Sequence, residues 1–305
     1  MLQLSAILEK FSAVNLLVVG DLMLDRFVWG NVERLSPEAP VPVLRVVSEK
    51  SSLGGAANVV HNIRTLGGRV TACGIVGKDE AGKRIVAALN KIGASTAGVI
   101  ADPAFQTIEK SRIIASPHHQ QIVRLDRENH QSVRESTLKK LRDFIATRAR
   151  FNAIVVSDYG KGTIHDELLA ALADIARRRK VICIVDPKKE NYESYRFPTL
   201  ITPNKSEASE ASGTQIADER SLLAAGRKLV RKWQAQAVLI TRGAEGMTLF
   251  RPGLPVKHFP TEPRDVFEVT GAGDTVVAVC ALGLAAGSGF AGAGVLGNNG
   301  AGFLG

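Results

Sequence analysis

The sequence predicts an α/β fold in three layers, α/β/α, with a mostly parallel central sheet and a small β-sheet lid. Three observations predict it. Short β-branched apolar runs alternate with segments of helical period along most of the chain. The first such run, residues 15–20 (NLLVVG), has four apolar residues in succession, as a strand covered on both faces must. Two segments, 27–47 and 106–125, carry β-type residues with no crossover helix inside either, and so are read as a separate sheet projecting over the rest, the alternative being ordinary edge strands.

The elements follow in order. Residues 2–11 read as a short amphipathic helix; Glu9, Lys10 and the lack of a long apolar stretch argue against a secretory leader. Helix is expected at 56–66, 80–92, 134–150, 165–179 and from about 218 to 232, and strand at 69–76, 153–157, 181–186, 199–202, 237–241 and 247–250. The run Arg177, Arg178, Arg179, Lys180 closes one of these helices, where cations complement the macrodipole. In the lid, 41–47 and 107–114 are expected to run antiparallel. A last helical region starts at Gly271. No charged residue follows Asp274, and 275–286 is apolar enough to raise the question of a membrane span. Glycines at 287 and 289 and the lack of flanking anchors favour a buried core helix instead. No internal repeat or linker divides the chain, so one domain over 1–305 is expected.

Composition narrows the function. Of 305 residues 45% are hydrophobic and 23% charged, a globular balance with material for a large core. The net charge of +9 is scattered, with no arginine-rich arm, zinc spacing or aromatic-basic interleaving, so no nucleic-acid partner is expected. Cys73, Cys183 and Cys280 lie in apolar runs without metal spacing and read as buried thiols of a reducing, cytoplasmic protein.

The strongest chemical signal is Val269, Thr270, Gly271, Ala272, Gly273, Asp274, Thr275. Its glycines permit a tight turn with outward amides, and the apolar helix that follows puts the turn at a helix N-terminus, a place for an anion. A carboxylate there repels a phosphate that is merely bound, but serves as base to a hydroxyl attacking one. The plain alternative is a first-turn helix acid.

This turn resembles the D-x-x-G-A-G-D signature of the ribokinase-like family of carbohydrate kinases. Glu268 replaces the first aspartate, with Asp265 further upstream, which leaves the role of that acid open. The resemblance runs from about residue 15 to 287 and includes the acid Asp25 after the first strand, Gly54-Gly55-Ala56-Ala57-Asn58, the G-x-D turn Gly77-Lys78-Asp79, the N-x-x-E run Asn204-Lys205-Ser206-Glu207, and the T-x-G-x-x-G loop Thr241, Gly243, Gly246. It implies an ATP-dependent sugar kinase with Asp274 as catalytic base and Gly271, Ala272 and Gly273 as the anion-holding turn. It also implies sugar contacts from Asp25, Gly54, Gly55 and Asn58, nucleotide contacts from Asn204, Lys205, Ser206, Glu207, Thr241, Gly243 and Gly246, and Mg²⁺ ordered at Asn204 and Glu207 through water. Asn204 and Glu207 also fit a helix capping box, and the two roles are compatible. Gly287 to Gly305 departs from the family's alanine-rich helix, which leaves a loose or incomplete adenine-side wall as the expectation.

Within the family, Asp25 to Gly30, Glu33 to Val43, Ser157 to Gly162 and Val185 to Lys188 are similar to the kinases of D-glycero-D-manno-heptose 7-phosphate. That likeness implies phosphorylation of the anomeric hydroxyl for ADP-heptose and lipopolysaccharide core synthesis. A kinase alone, without the nucleotidyltransferase domain often fused to it, is expected, as a homodimer through the lid. A substrate bearing a phosphate needs distal cations, and Arg34, Lys161 and Lys188 are the candidates. The alternatives are a related sugar or nucleoside kinase with an unphosphorylated substrate, or a catalytically silent sugar-phosphate-binding protein.

Overall fold

Residues 15–20 do form the predicted strand, and alternation along it explains the layering. Leu16 and Val18 point into one apolar cluster, Leu17 and Val19 into another on the opposite face, and all four have no exposed surface. The structure is a computed structural model, describing residues 2–116, 119–128, 133–147, 151–261 and 271–301.

In chain order, α1 (Leu2–Glu9) and a 3₁₀ turn precede β1 (Asn15–Gly20), then β2 (Leu22–Leu35), β3 (Pro42–Gly55), α2 (Ala56–Thr65), β4 (Arg69–Gly77), α3 (Glu80–Lys91) and β5 (Ser95–Asp102). Next come β6 (Ile108–Ser116), β7 (Gln120–Arg127), α4 (Glu135–Thr147), β8 (Ala153–Ser157), α5 (Asp166–Arg179), β9 (Ile182–Asp186) and β10 (Leu200–Ile201). The chain continues through α6 (Lys205–Ser212), α7 (Glu219–Trp233), β11 (Val238–Thr241), β12 (Met247–Phe250), β13 (Lys257–Phe259), α8 (Ala272–Ala285) and α9 (Gly289–Ala301).

Nine strands form the central sheet in the order β13-β12-β11-β10-β9-β8-β1-β4-β5, parallel from β5 to β11 and antiparallel at β12 and β13. The cluster holding Leu16 and Val18 packs α2, α3, α8 and α9 on one face; α4, α5, α6 and α7 cover the other. This is the expected α/β/α sandwich. Ser95–Asp102, Lys205–Ser212 and Lys257–Phe259 add elements that the periodicity does not foretell.

The second sheet has the order β3-β2-β6-β7. β3 and β6 run in opposite directions, as expected, but neither pairs with the other: β2 lies between them, antiparallel to β3 and parallel to β6. The sheet is therefore mixed, and its strands are longer than 27–47 and 106–125 suggest.

The apolar stretch after Asp274 is α8, buried from Asp274 to Leu284, and no helix among the described residues is long and apolar enough to cross a membrane. Within the glycine-rich segment beyond it, Gly289–Ala301 forms the helix α9. Its glycines permit close packing: a side chain at Gly294 would begin 2.5 Å from the Phe259 ring, and one at Gly297 would begin 2.9 Å from Cys280 Sγ. The three cysteines are buried and unpaired, and burial pushes each thiol above its ordinary pKa.

Candidate active site

β1 stands between β4 and β8, where the sheet's winding reverses, and in open α/β sheets a crevice opens there beyond the carboxyl ends of the strands. Three aspartates stand at the ends of three neighbouring strands. Asp21, after β1, is wholly buried and accepts the amides of Tyr159, Lys161 and Thr163 at 3.0, 3.1 and 3.0 Å. Asp158, after β8, accepts from the Gly160 amide at 2.8 Å, Asn191 Nδ2 at 2.7 Å and the Tyr195 hydroxyl at 2.6 Å. Burial pushes Asp158 up to about 6, against the pull of these donors. Asp186 closes β9 and differs: its carboxylate has no hydrogen-bond or ion-pair partner among the described residues. Burial, then the charges of Asp274 and Glu207, push its pKa well above the carboxylate range. Asp21 and Asp158 are thus held by donors of the fold itself, whereas Asp186 is left to face the cavity.

Asp274 lies in the first turn of α8 and is 6% exposed. The helix begins after Gly271, whose φ of +88° suits glycine. Thr275 N–H makes the bond back to the Gly271 carbonyl, so the amides of Ala272, Gly273 and Asp274 have no partner within the helix. A side chain at Gly273 would meet nothing within 4 Å, so backbone is open to a ligand there. The Asp274 carboxylate is held at both oxygens, by Asn58 Nδ2 at 2.7 Å and by the Tyr159 hydroxyl at 2.6 Å. Burial raises its pKa, while these two donors and the nearby Lys110 ammonium favour the charged form. Tyr159 is thus bound twice over: its amide to Asp21 and its hydroxyl to Asp274.

The second sheet forms the opposite wall. On its inner face Asp25 of β2 stands opposite Ser52 and Lys110, and one step outward Phe27 stands opposite Lys50 and Arg112. Asp25 Oδ1 pairs with Arg112 Nη1 at 2.6 Å. Its other oxygen lies 2.2 Å from where a side chain at Gly54 would begin, which is why that position is bare. Gly55, at φ +55°, turns the chain from β3 into α2, and Asn58 is delivered one turn later. The G-x-D turn acts locally. Asp79 caps α3 through Gly82 and also binds the Thr107 amide and hydroxyl, tying α3 to the root of β6.

Between these walls lies a cavity of about 1070 Å³. Of the residues singled out in the sequence, Asp25, Gly54, Gly55, Asn58, Lys188, Asn204, Glu207, Thr241, Gly271, Gly273 and Asp274 line it. Lys205, Ser206, Gly243 and Gly246 flank it: Lys205 reaches Glu245 at 3.4 Å, and the two glycines shape the β11–β12 turn with φ of +58° and +81°. Two of the expected phosphate ligands are not among the lining residues. Arg34 is exposed at the far end of β2, beyond two irregularities in the ladder, and Lys161 Nζ pairs with Glu128 at 2.5 Å. Glu268 and Asp265 lie outside the described residues. No motif in the sequence assigns a role to Asp186, Tyr159, Lys50, Lys110 or Arg112, all of which line the cavity.

Asn204 and Glu207 form the capping box: Asn204 Oδ1 accepts the Glu207 amide, and Glu207 Oε2 accepts the Asn204 amide. Lys188 Nζ lies 3.2 Å from Glu207 Oε1. No group of three or more His, Cys, Asp or Glu among the described residues could hold a metal by itself. The donor set instead suits a hard ion that arrives with phosphates and keeps its waters, needing one or two carboxylates.

A fold and site of this kind define a carbohydrate kinase. The family model described as pfkB family carbohydrate kinase matches residues 14–304, and the chain belongs to that family of ATP-dependent sugar kinases. It is 47% identical over 290 residues to the bifunctional protein HldE of Geobacter metallireducens, covering 95% of this chain and 59% of that protein. With HldE of Geobacter sulfurreducens the figures are 46% over 280 residues, 92% and 57%. The chain thus spans less than two thirds of the length of these relatives. Among solved structures it resembles Escherichia coli phosphofructokinase-2 in complex with potassium (TM-score 0.80, 20% identity, 95% of this chain and 91% of that one). Arabidopsis thaliana ribokinase complexed with ribose and ATP has a TM-score of 0.73 at 20% identity, covering 95% and 91%.

Proposed function

We propose that the chain transfers the γ-phosphoryl group of ATP to the anomeric hydroxyl of D-glycero-D-manno-heptose 7-phosphate, giving the 1,7-bisphosphate for ADP-heptose and lipopolysaccharide core synthesis. The observation that carries the kinase step is the placing of Asp274 beside amides of the α8 N-terminus that have no partner within the helix, at one end of the cavity. The choice of sugar is supported by the likeness to the HldE proteins.

In this reading Asp25 and Asn58 bind sugar hydroxyls and place the anomeric oxygen against Asp274. Asp274 takes its proton as the oxygen attacks phosphorus, and the amides of Ala272, Gly273 and Asp274 stabilise the charge on the group in transit. Mg²⁺ brought by ATP would be held at Asp186, with Glu207 and Asn204 reaching it through water, and would neutralise the triphosphate. Thr241, with the flanking Gly243, Gly246, Lys205 and Ser206, lies on the nucleotide side. The second sheet acts as a lid that excludes water from the site.

ATP consumption across a panel of heptose 7-phosphate, fructose 6-phosphate, ribose and adenosine tests the assignment. The highest kcat/KM is expected with the heptose phosphate, with new phosphorus on the anomeric oxygen. A higher value with an unphosphorylated sugar or nucleoside would replace this reading, and no turnover with any would leave a binding protein.

The lid is also the proposed dimer surface. Leu35 and Val47 are each 66% exposed, and Val46, Val123 and Leu125 add to an apolar outer face. Its edge strands β3 and β7 carry unpaired backbone groups. Val47→Glu is expected to shift a dimer to monomer in sedimentation; an unchanged mass would remove the lid from that role.

A further inference from the structure

Asp158 serves two loops at once. The loops follow neighbouring strands: Ser157 at the end of β8 pairs with Asp186 at the end of β9, and the Asp158 amide continues the ladder to the Asp186 carbonyl at 3.2 Å. Asp158 Oδ1 accepts the Gly160 amide two residues on, a side-chain turn with Tyr159 as its middle residue. Gly160 leaves that turn at φ +65°, and a side chain there would begin 2.5 Å from the Glu190 carboxylate of the other loop. Asp158 Oδ2 accepts two donors from that other loop, Asn191 Nδ2 and the Tyr195 hydroxyl. The Tyr195 hydroxyl in turn accepts the Lys188 amide at 2.8 Å, and the Asn191 amide donates to the Lys188 carbonyl at 3.1 Å. Lys188 is thus gripped at both ends of its backbone by residues that bind one carboxylate.

The first loop brings the Tyr159 hydroxyl to Asp274, and the second lines the cavity with Asp186, Pro187 and Lys188. Asp158 is 2% exposed, and three donors take up its oxygens, so it has little left to offer a ligand. All three donors are neutral, and Asp158 forms no ion pair among the described residues. Burial without a cation is costly for a carboxylate. An amide in its place would turn an N–H toward at least one of the three donors, so the three bonds together need the carboxylate. We propose that Asp158 is a positioning residue for the phosphoryl transfer. It locks the loop that orients the base to the loop that carries Asp186 and Lys188, so that the two halves of the site keep a fixed separation. The proposal rests on the reading of Asp274 as the base, and extends it to a residue whose own oxygens are already filled.

The test is a cycle of Tyr195→Phe, Tyr159→Phe and the two together in the full chain, with ATP and the acceptor that the substrate panel ranks first. Tyr195→Phe keeps the ring against Trp233 and removes the hydroxyl between Asp158 and Lys188. It should lower kcat by roughly tenfold. The KM for the sugar should stay nearly unchanged, since no hydrogen bond joins either loop to Asp25 or Asn58 among the described residues. No hydrogen bond joins the two tyrosine hydroxyls either, and the shared partner is Asp158. Measured on the acid side of the optimum, the loss in the double variant should therefore fall short of the product of the single losses by roughly threefold or more. Asp158→Asn should lower kcat by roughly 10–100-fold, as for loss of a charge-assisted hydrogen bond. Losses that simply multiply would overturn the proposal, as would a loss carried by the sugar KM. A lowered melting temperature with kcat unchanged would overturn it too, leaving Asp158 as a group that only stabilises the fold. If Asp158→Asn does not fold, the tyrosine cycle decides alone. Failure of the base reading is seen separately, as near-normal turnover in Asp274→Asn.

Discussion

The two sheets fix charge by different means. In the central sheet, acids stand at strand ends and are held by backbone amides, as Asp21 is by three of them, so their positions follow from the fold itself. In the lid, charges are held side chain to side chain, across strands, on a sheet with one face open to solvent. The first arrangement suits chemistry that tolerates no displacement, and the second suits recognition that can be retuned by changing one residue.

Substitutions can break or sharpen this contrast. The largest effect is expected at the strand-and-helix side: Asp274→Asn should keep the fold and ATP binding while lowering kcat by roughly 10²–10⁴-fold, the span for losing a general base. Near-normal turnover would remove Asp274 from the role. Leu17→Ala, in a core with no exposed surface at that residue, should cost about 2–5 kcal/mol in denaturant unfolding. Gly54→Ala should push Asp25 aside and lower kcat/KM by roughly 10²-fold with an unchanged melt, since a displacement of about 1 Å costs that much; retained sugar affinity would show that Asp25 is not positioned by the bare backbone.

Tyr159→Phe carries a sign as well as a size. The Tyr159 hydroxyl donates to the charged carboxylate and so lowers the proton affinity of Asp274. Without it the base protonates more readily, and the acid limb of the kcat/KM profile should move to higher pH. The loss, roughly tenfold on the acid side, should shrink toward alkaline pH. A uniform loss at all pH would reduce Tyr159 to packing. The smallest effect belongs to the outer lid: Val123→Ala, 44% exposed, should change unfolding free energy by no more than about 0.5 kcal/mol.

Much of the central sheet is legible in the sequence because its strands are continuous apolar runs, as parallel strands covered on both sides must be. Ser95–Asp102 is not, since small and polar residues interrupt it at an edge of the sheet. α6 is hidden by its composition, KSEASEAS, whose serines favour caps and turns over helix interiors. The glycine turn before Asp274 announces itself because its residues are adjacent in sequence. Tyr159 does not, because its meaning depends on a contact with a residue 115 positions away. Lys50 and Lys110 are equally silent: each is one lysine among many until the ladders place both opposite β2. Lys161 misleads for the converse reason. It follows a strand near the site, but its amide is drawn to Asp21 and its ammonium to Glu128.

Asp21 is the single residue between β1 and β2, so the central strand of the lid grows straight out of the middle of the core. Its amide, its carbonyl and its carboxylate are all engaged, with Ser157, with Ala56 and with the loop that carries Tyr159. A hinge needs a joint free to turn, and the root of the lid has none. Motion of the lid must therefore be a flexing of the blade further out, where the β2–β3 ladder slips between Trp29 and Gly30 and again between Val32 and Arg34. Asp25 would stay with the rigid base while Arg34 travels with the tip.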